Sequence, residues 1–172
     1  ALFLYLFFME TEIAFMEVIH PQQIEELLSV SKSLFGSNYH EYHYFKCTTN
    51  ELIITARFKS KFVGFLKIIF EKGNSVKIDC IGVSKNFQRK EIASNLLYHY
   101  FQNHHSQTNG IYALAWKTSS GIHAKKLFQK FEMKAVKNLG QIWKNKCNID
   151  FQCPYKLNTC NCEAILFKRD SI

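Results

Sequence analysis

The sequence predicts an α/β fold in which a mixed central sheet carries helices on both faces. Three strand-like segments follow one another between residues 51 and 83 with short turns between them, which is typical of an antiparallel meander. A long amphipathic helix comes next, and strand and helix patterns then alternate towards the end of the chain. A chain of 172 residues, 47% of them hydrophobic, fits one domain with a substantial core.

Strands and helices are distinguished by the spacing of their apolar residues and by the turns between them. The segments predicted to be strands, in chain order, are residues 16–21, 51–58, 62–70, 76–83, 111–116, 134–137 and 163–168. Helical spacing covers residues 24–34, 89–103 and 122–131, and Thr118 to Ser120 offer N-cap side chains for the last helix. Residues 35–50 are interpreted as a loop with room for a short helix. The predicted order is β-α-(α)-β-β-β-α-β-α-β-β.

Residues 1–15 are interpreted as an N-terminal extension of a domain that spans residues 16–172. The first eight residues are apolar, whereas a membrane-spanning helix needs about 20. No basic segment precedes them and no small-residue cleavage site follows, so a signal peptide is poorly supported. We therefore expect a cytoplasmic protein with no membrane partner.

The chain is basic, with a formal net charge of +8. Such a charge favours polyanions, including nucleic acids and phosphorylated cofactors. The basic residues are scattered, however, and the densest group, Lys125, Lys126 and Lys130, lies on one predicted helix, where a solvated face is the ordinary interpretation. The charge therefore gives no clear indication of a nucleic-acid partner.

The junction between the third meander strand and the long helix is the most informative segment. It runs Ile81-Gly-Val-Ser-Lys-Asn-Phe-Gln-Arg-Lys-Glu-Ile-Ala-Ser-Asn-Leu-Leu97, which is a strand end, a short polar loop and a helix start. A helix N-terminus offers unpaired N–H groups and the positive end of the helix dipole, so it favours phosphate binding. The alternative is a plain strand–turn–helix connection with solvated basic residues.

This junction resembles the pyrophosphate loop of the GNAT superfamily of N-acetyltransferases, which has the form Gln/Arg-x-x-Gly-x-Gly/Ala. The matching residues are Gln88, Glu91 and Ala93. A later segment, Ala124-x-x-x-Phe128-x-x-x-Glu132-Met133, is similar to the family pattern Ala-x-x-x-Tyr-x-x-x-Gly-Phe. Together with the element order, the resemblance covers about residues 16–145 and implies a GNAT-like sheet with acetyl-CoA as co-substrate.

The resemblance also implies a binding site for acetyl-CoA along the third meander strand, residues 76–83, and the loop that follows it. The implied cofactor-binding residues are Ile81, Gly82, Val83, Gln88, Arg89, Lys90, Glu91, Ile92, Ala93, Ser94 and Ser120. Gly82 would permit close approach of the pantetheine arm, and Arg89 and Lys90 would add charge near the phosphates. The implied reaction is acetyl transfer to an amine on a small molecule or a protein, and a homodimer is compatible with the sequence.

Three of the departures from the family pattern bear on function. Glu91 stands in place of a glycine, and its charge opposes phosphate binding unless the side chain points away. Glu132 stands in place of the glycine that commonly ends the later helix. Phe128 replaces the tyrosine that many relatives use to protonate the leaving thiolate. A catalytically impaired acyl-CoA-binding module is therefore an alternative function.

Two residues are candidates for the general base. Asp79 lies in the third meander strand, where many relatives carry a base, and its neighbour two residues away is Lys77; a core or hairpin-pair role is the alternative interpretation. His123 precedes the later helix, and imidazole is suited to proton transfer near neutral pH. A solvated surface histidine is the alternative for this residue.

Four cysteines are concentrated in the excursion between the last two strands, residues 147–162. They are Cys147, Cys153, Cys160 and Cys162. Four thiols are the usual ligand number of a structural Zn²⁺ ion, although the spacing lacks the paired Cys-x-x-Cys of common zinc sites. The alternatives are a metal-stabilised interaction domain and a free-thiol loop. We expect the excursion to lie on the acceptor side of the site rather than on the CoA side.

Overall fold

The structure is a computed structural model that describes residues 13–17, 24–39, 49–104, 109–153, 155 and 160–170. Within these residues, eight strands form one mixed sheet. Most of the predicted extension, residues 1–12, and most of the loop predicted to have room for a short helix lie outside the described residues. None of the helices in the described ranges is long and apolar enough to cross a membrane.

The strands and helices follow the predicted order, with one short additional strand. The strands are β1 (Ile13–Glu17), β2 (Glu51–Phe58), β3 (Lys61–Glu71), β4 (Ser75–Val83), β5 (Gly110–Thr118), β6 (Gly121–Ile122), β7 (Lys134–Asn138) and β8 (Glu163–Asp170). The helices are α1 (Ile24–Phe35), α2 (Ile92–His104) and α3 (Lys125–Lys130).

The sheet has the order β1-β2-β3-β4-β5-β8-β7, and β6 pairs with β5. All neighbouring strands are antiparallel except β4 and β5, which are parallel. Helix α1 packs on β3 and β4, and α2 packs on β2, β3 and β4. The residues that α1 and α2 bury belong to two separate apolar clusters, one on each face of the sheet. The predicted mixed sheet with helices on both faces is confirmed.

The apolar stripe of α2 supplies much of the larger cluster. Ile92, Leu96, Leu97 and Tyr100 recur at helical spacing and are almost fully buried. Burying a side chain of this size stabilises the fold by about 2 kcal/mol relative to leaving it in water. This stripe holds α2 against the sheet and so fixes the position of its N-terminus.

The starts of three elements lie three residues from their predicted positions. Strand β1 begins at Ile13 rather than at Met16, because residues 13–15 pair with β2. Helix α2 begins at Ile92 rather than at residue 89, because Arg89 and Glu91 have φ angles of 62° and 59°, which a right-handed helix cannot contain. The predicted N-cap segment 118–120 instead leads into the β5–β6 hairpin, and the N-cap of α3 is Ala124, which makes no side-chain cap hydrogen bond.

Helix α3 ends in a Schellman motif that has glutamate where glycine is preferred. The Met133 N–H donates to the Phe128 carbonyl and the Glu132 N–H donates to the Gln129 carbonyl, each over 3.0 Å. Glu132 takes the left-handed conformation that this motif requires, with a φ angle of 61°. Glu132 was expected to cost this C-cap geometry, whereas the structure keeps it, with Glu132 in the left-handed conformation.

Replacing Glu132 with glycine should raise the free energy of unfolding by about 1 kcal/mol, because glycine adopts this backbone conformation without steric cost. The lost ion pair with Arg169, at 3.5 Å and with Glu132 75% exposed, contributes little. Denaturant unfolding measures the change. Glu132→Ala is the control, because it removes the same ion pair and keeps the β-carbon. Equal stability of the two variants would contradict the interpretation.

Candidate active site

The site is organised by the separation of the two parallel strands. Strands β4 and β5 are paired from Ser75 and Gly110 to Ile78 and Ala113, and their ladder ends there. Beyond this point β4 stays paired with β3 as far as Val83, and β5 stays paired with β8 as far as Lys117. The carboxyl halves of β4 and β5 therefore diverge and form the two sides of a wedge. Because parallel strands end at the same edge, the loops that follow both strands lie at this edge.

A β-bulge at Asp79 accounts for the divergence. Lys67 of β3 pairs with Cys80 and the next residue, Ile68, pairs with Ile78, so Asp79 is the extra residue of β4. A bulge bends its strand and increases the local twist. The bulge lies immediately after Ile78, the last β4 residue that is paired with β5. The bend therefore directs the end of β4 away from β5.

The Asp79 carboxylate lies inside an ion-pair network. Its side chain is 3% exposed, and it accepts a hydrogen bond of 2.7 Å from Lys77 Nζ. Its other oxygen lies 3.2 Å from Lys67 Nζ, which in turn lies 3.3 Å from Glu51 Oε1. A general base must have its lone pair available to the substrate. The structure therefore favours a structural role for Asp79, as a member of this ion-pair network, over a role as general base.

The loop after β4 forms a concave turn with helix α2 at its exit. The Gln88 side chain donates a 2.9 Å hydrogen bond from Nε2 to the Val83 carbonyl, which ties the loop to the strand end. The first backbone bond of the helix runs from the Asn95 N–H to the Glu91 carbonyl. The N–H groups of Ile92, Ala93 and Ser94 precede this first donor, so the helix itself provides no carbonyl acceptor for them. Left-handed residues such as Arg89 and Glu91 turn neighbouring N–H groups into an anion-binding nest.

The Glu91 carboxylate is paired with a lysine beside this turn. The partner is Lys130 of α3, and Lys130 Nζ is the hydrogen-bond donor. Hydrogen bonds from Lys130 and Ser94 lower the pKa of the Glu91 carboxyl, and its charge remains in water. The left-handed backbone at Glu91 also explains why the family pattern has glycine here. Arg89 and Lys90, by contrast, are exposed beside the turn.

Gly82 lies where helix α1 packs against β4. A β-carbon at this position would lie 2.7 Å from Leu34 Cδ1 and 3.1 Å from Phe65 Cε1. A side chain here would displace the end of Leu34, so glycine lets α1 pack against β4 without that shift, and the approach of a pantetheine arm at Gly82 stays a prediction. A β-carbon would meet α1, so the close approach at Gly82 is between the helix and the strand. Sequence reasoning missed this contact because the residues concerned are distant in the chain.

The opposite side of the wedge carries His123 and a tyrosine that the sequence did not single out. Ser120 Oγ lies 3.3 Å from His123 Nε2 and 2.8 Å from Thr118 Oγ1. The Tyr155 ring stacks on the His123 ring, with centroids 6.1 Å apart and planes 14° apart. Burial raises the pKa of Tyr155, with smaller contributions from Cys162 and Cys153. The only sequence signal for Tyr155 was its place inside the cysteine-rich excursion.

Phe128 lies in the core. It is 3% exposed, and its ring centroid is 5.2 Å from that of Phe167 of β8. Phe128 has no hydroxyl group and cannot donate a proton. Its position in the core gives it a packing role.

The four cysteines of the excursion converge on one pocket next to the end of β5. Trp116, Trp143, Phe151 and Tyr155 complete the lining of this pocket. Trp116 also makes edge contacts with Phe35 and Tyr39, so the pocket is joined to the end of α1. The excursion therefore lies on the face of the sheet that carries α1.

The cysteines themselves are buried free thiols, 5–8% exposed. Burial, with contacts to Cys153 and Cys160, raises the pKa of Cys147 to about 12. Burial, with contributions from Cys160 and Cys153, raises the pKa of Cys162 to about 11. Among the residues that the structure describes, no three His, Cys, Asp or Glu side chains are arranged as ligands of a metal ion, so the predicted zinc ion is not supported by this arrangement.

Comparison with known proteins gives one family and one fold. The sequence model of the "Acetyltransferase (GNAT) family" matches residues 22–133. No curated protein has a significant sequence match to the chain. Among solved structures, the fold is similar to that of the Escherichia coli ribosomal-protein-S18-alanine N-acetyltransferase, with a TM-score of 0.72 and 10% identity over 93% of this chain and 94% of that one.

Two further solved structures have the same fold. One is Arabidopsis thaliana Naa50 in complex with the bisubstrate analogue CoA-Ac-MVNAL, with a TM-score of 0.71 and 17% identity over 93% of this chain and 99% of that chain. The other is an aminoglycoside 6'-N-acetyltransferase complexed with coenzyme A, with a TM-score of 0.70 and 14% identity over 92% of this chain and 97% of that chain. At these identities the likeness concerns the fold.

Proposed function

The chain belongs to the GNAT acetyltransferase family, and we propose that it transfers the acetyl group of acetyl-CoA to an amine. The observation that carries this proposal is the wedge between β4 and β5, with the turn at residues 84–91 and the start of α2 at its mouth. Such a wedge gives an extended cofactor arm access to strand backbone, and the helix N-terminus provides N–H groups for its pyrophosphate.

The binding residues on the CoA side are assigned as follows. The backbone of Ile81 to Val83, beyond the last pair with β5, receives the pantetheine arm. The N–H groups from Gln88 to Ser94 receive the pyrophosphate, with Arg89 and Lys90 contributing positive charge from the exposed side of the turn. Gln88 acts through its bond to Val83, which holds the turn in place. Ser120 lies at the end of the opposite strand and orients His123.

The reaction needs one proton acceptor and one proton donor. The amine nitrogen attacks the thioester carbonyl carbon, a C–N bond forms, and the C–S bond then breaks. The amine gives up one proton and the CoA thiolate takes one, so the products are an amide and free CoA. We assign the proton-accepting role to His123, because it is exposed and lies at the sheet edge where both strands of the wedge end.

Two measurements test the function. Acetyl-CoA should raise the melting temperature of the protein, because a ligand that binds only the folded state stabilises it. Incubation with acetyl-CoA and a panel of amines, including peptides with free N-termini and small polyamines, should release free CoA thiol with at least one of them. Binding without thiol release from any amine would support the acyl-CoA-binding module instead. The absence of a melting shift at millimolar acetyl-CoA would reject both.

Replacing Glu91 with glycine should tighten acetyl-CoA binding about fivefold, since a negative charge leaves the turn and Lys130 is freed to face the phosphates. Isothermal titration calorimetry measures the affinity. Glu91→Ala is the matched control, because it removes the charge and keeps the left-handed β-carbon. The glycine variant should be the more stable of the two by about 1 kcal/mol. An alanine variant of equal or greater stability would show that the backbone at residue 91 carries no strain.

The cytoplasmic location and the homodimer remain predictions. The free thiols of all five cysteines in the described part of the chain support a reducing compartment.

A further inference from the structure

The pocket at the end of β5 has an aromatic lining that the CoA side of the site does not use. Trp116, Trp143 and Tyr155 line it, together with Phe151 and the four cysteines of the excursion. The Trp116 ring centroid lies 5.7 Å from that of Trp143 and 6.4 Å from that of Tyr155. The chain has two tryptophans, so both of them line this one pocket.

The pocket lies next to the place where acetyl transfer is proposed. Trp116 is the third residue of β5 beyond Ala113, the last β5 residue paired with β4, so it belongs to the half of the strand that borders the wedge. Tyr155 lines the pocket and also stacks on the ring of His123, the proposed proton acceptor. A group held in this pocket is therefore separated from the imidazole by about the thickness of one ring, and an amino group attached to it by a short linker can reach His123.

The lining of the pocket is electrically neutral. Among the lining residues that the structure describes, none is Lys, Arg, His, Asp or Glu. Burial, with contacts to other cysteines, raises the pKa of Cys147 to about 12 and that of Cys162 to about 11, so these thiols stay protonated near neutral pH. Neutral thiols behave as small, polarisable apolar groups that make favourable contacts with aromatic rings. Such a lining favours an apolar group over a charged one, which would lose its water without gaining a partner.

The charge of the chain supports the same conclusion. A formal net charge of +8 opposes the approach of acceptors with several ammonium groups. The described lining also offers no carboxylate that could hold a second ammonium group. The pocket therefore fits an acceptor whose remaining part, apart from the reacting amino group, is apolar.

We propose that this pocket binds the apolar group of the acceptor, and that the acceptor is a primary amine with an aromatic or branched aliphatic group within a few bonds of its nitrogen. This proposal rests on the acetyl-transfer function proposed above. A free arylalkylamine and the N-terminus of a peptide with an apolar first residue share this chemistry. The nitrogen attacks the thioester carbonyl carbon, the C–N bond forms and the C–S bond breaks. His123 takes one proton from the amine, and the CoA thiolate gains one from solvent.

Binding can be tested without acetyl transfer, because both tryptophans line the pocket and their emission reports on it. The unmodified chain, saturated with CoA, is titrated with phenethylamine and, separately, with a short peptide that begins with leucine. At least one of these ligands should change the tryptophan emission saturably. Ethylamine, which has the same ammonium group and no ring, should leave it unchanged at the same concentrations. No response to either apolar ligand at millimolar concentration, or an equal response to ethylamine, would overturn the proposal.

CoA release from acetyl-CoA tests the same preference in the reaction. We expect kcat/KM to be at least about tenfold higher for phenethylamine than for ethylamine, or for the leucine peptide than for the same peptide beginning with aspartate, because an apolar pocket discriminates by this much or more. The better of the two apolar acceptors identifies its source. Putrescine or the aspartate peptide as the best acceptor would overturn the proposal and leave acetyl transfer intact. Release from no amine would reject acetyl transfer, and the emission titration would then decide whether the pocket binds apolar amines.

Trp143→Ala removes one side of the pocket and should raise KM for the apolar acceptor about tenfold with little change in kcat. Ile142→Ala is the matched control, because Ile142 is the adjacent residue, is 41% exposed and is not part of the lining. Both variants should bind acetyl-CoA as the unmodified chain does, which calorimetry measures and which shows that they are folded. Equal KM values for the two variants would overturn the proposal. If Trp143→Ala does not fold, the emission titration of the unmodified chain decides.

Discussion

Replacing Asp79 with asparagine is expected to lower the free energy of unfolding by about 3 kcal/mol, because the change leaves the ammonium group of Lys67 buried with only part of its compensation. Lys67 is 2% exposed and lies 3.2 Å from Asp79 and 3.3 Å from Glu51. The Glu51 carboxylate remains in the variant, which keeps the loss below that of an isolated buried charge. Denaturant unfolding at neutral pH measures the effect.

The control for this change is an exposed ion pair of the same type. Glu26→Gln removes the partner of Arg57, at 2.6 Å, but the Glu26 side chain is 53% exposed. Exposed pairs contribute less than about 1 kcal/mol, so this variant should be nearly as stable as the parent. An Asp79→Asn protein that keeps its stability and loses acetyl transfer would reverse the assignment and make Asp79 the general base.

The second large effect is expected at His123. Replacing it with alanine should lower kcat/KM about 10²- to 10⁴-fold, which is the usual contribution of a positioned acid–base group. The exposed ring makes no core contact that would be lost, so the melting temperature should change little. The measurement is steady-state CoA release with the amine identified in the panel.

His99 offers the matched control for His123. It lies on α2, where its ring stacks against Phe15 of β1 with centroids 6.2 Å apart, away from the loop that follows β5. His99→Ala should keep the rate. Equal rates for the His123→Ala variant and the unmodified chain would leave proton removal to water and remove His123 from the active site.

Two of the departures from the family pattern, Glu91 and Glu132, have the same physical basis. Both residues have left-handed backbone angles, with φ near 60°, at the two turns where glycine is the favoured residue. Both side chains reach water and form ion pairs, Glu91 with Lys130 and Glu132 with Arg169. The two turns therefore keep their backbone shape, at the cost of holding a residue with a β-carbon in the left-handed conformation. The chain should have two positions at which glycine improves stability relative to alanine.

The order of strands and helices was predictable from the sequence because each element carries its own local pattern. The stripe of Ile92, Leu96, Leu97 and Tyr100 specifies α2, and the turns at residues 59–60 and 72–74 separate the strands of the meander. The turn between β4 and α2 was predictable for the same reason, since residues 84–91 are contiguous and follow a strand. The start of α2 was not predictable in the same way. The helix begins at Ile92 because Arg89 and Glu91 have positive φ angles, and nothing in the identity of an arginine or a glutamate indicates such an angle.

Tertiary structure alone decided the roles that depend on residues distant in the chain. Asp79 was a candidate base until Lys67, on the neighbouring strand, was found against its carboxylate, and the crowding of Gly82 by Leu34 of α1 is visible only in the fold. The contact of Tyr155 with His123 likewise joins residues distant in the chain. By itself, the sequence determined the elements and the turn between β4 and α2, because hydrogen bonding and apolar spacing within them are local. The ion pairs of Asp79, the crowding of Gly82 and the stacking of Tyr155 on His123 depend on packing between elements. Only the folded sheet brings those atoms together.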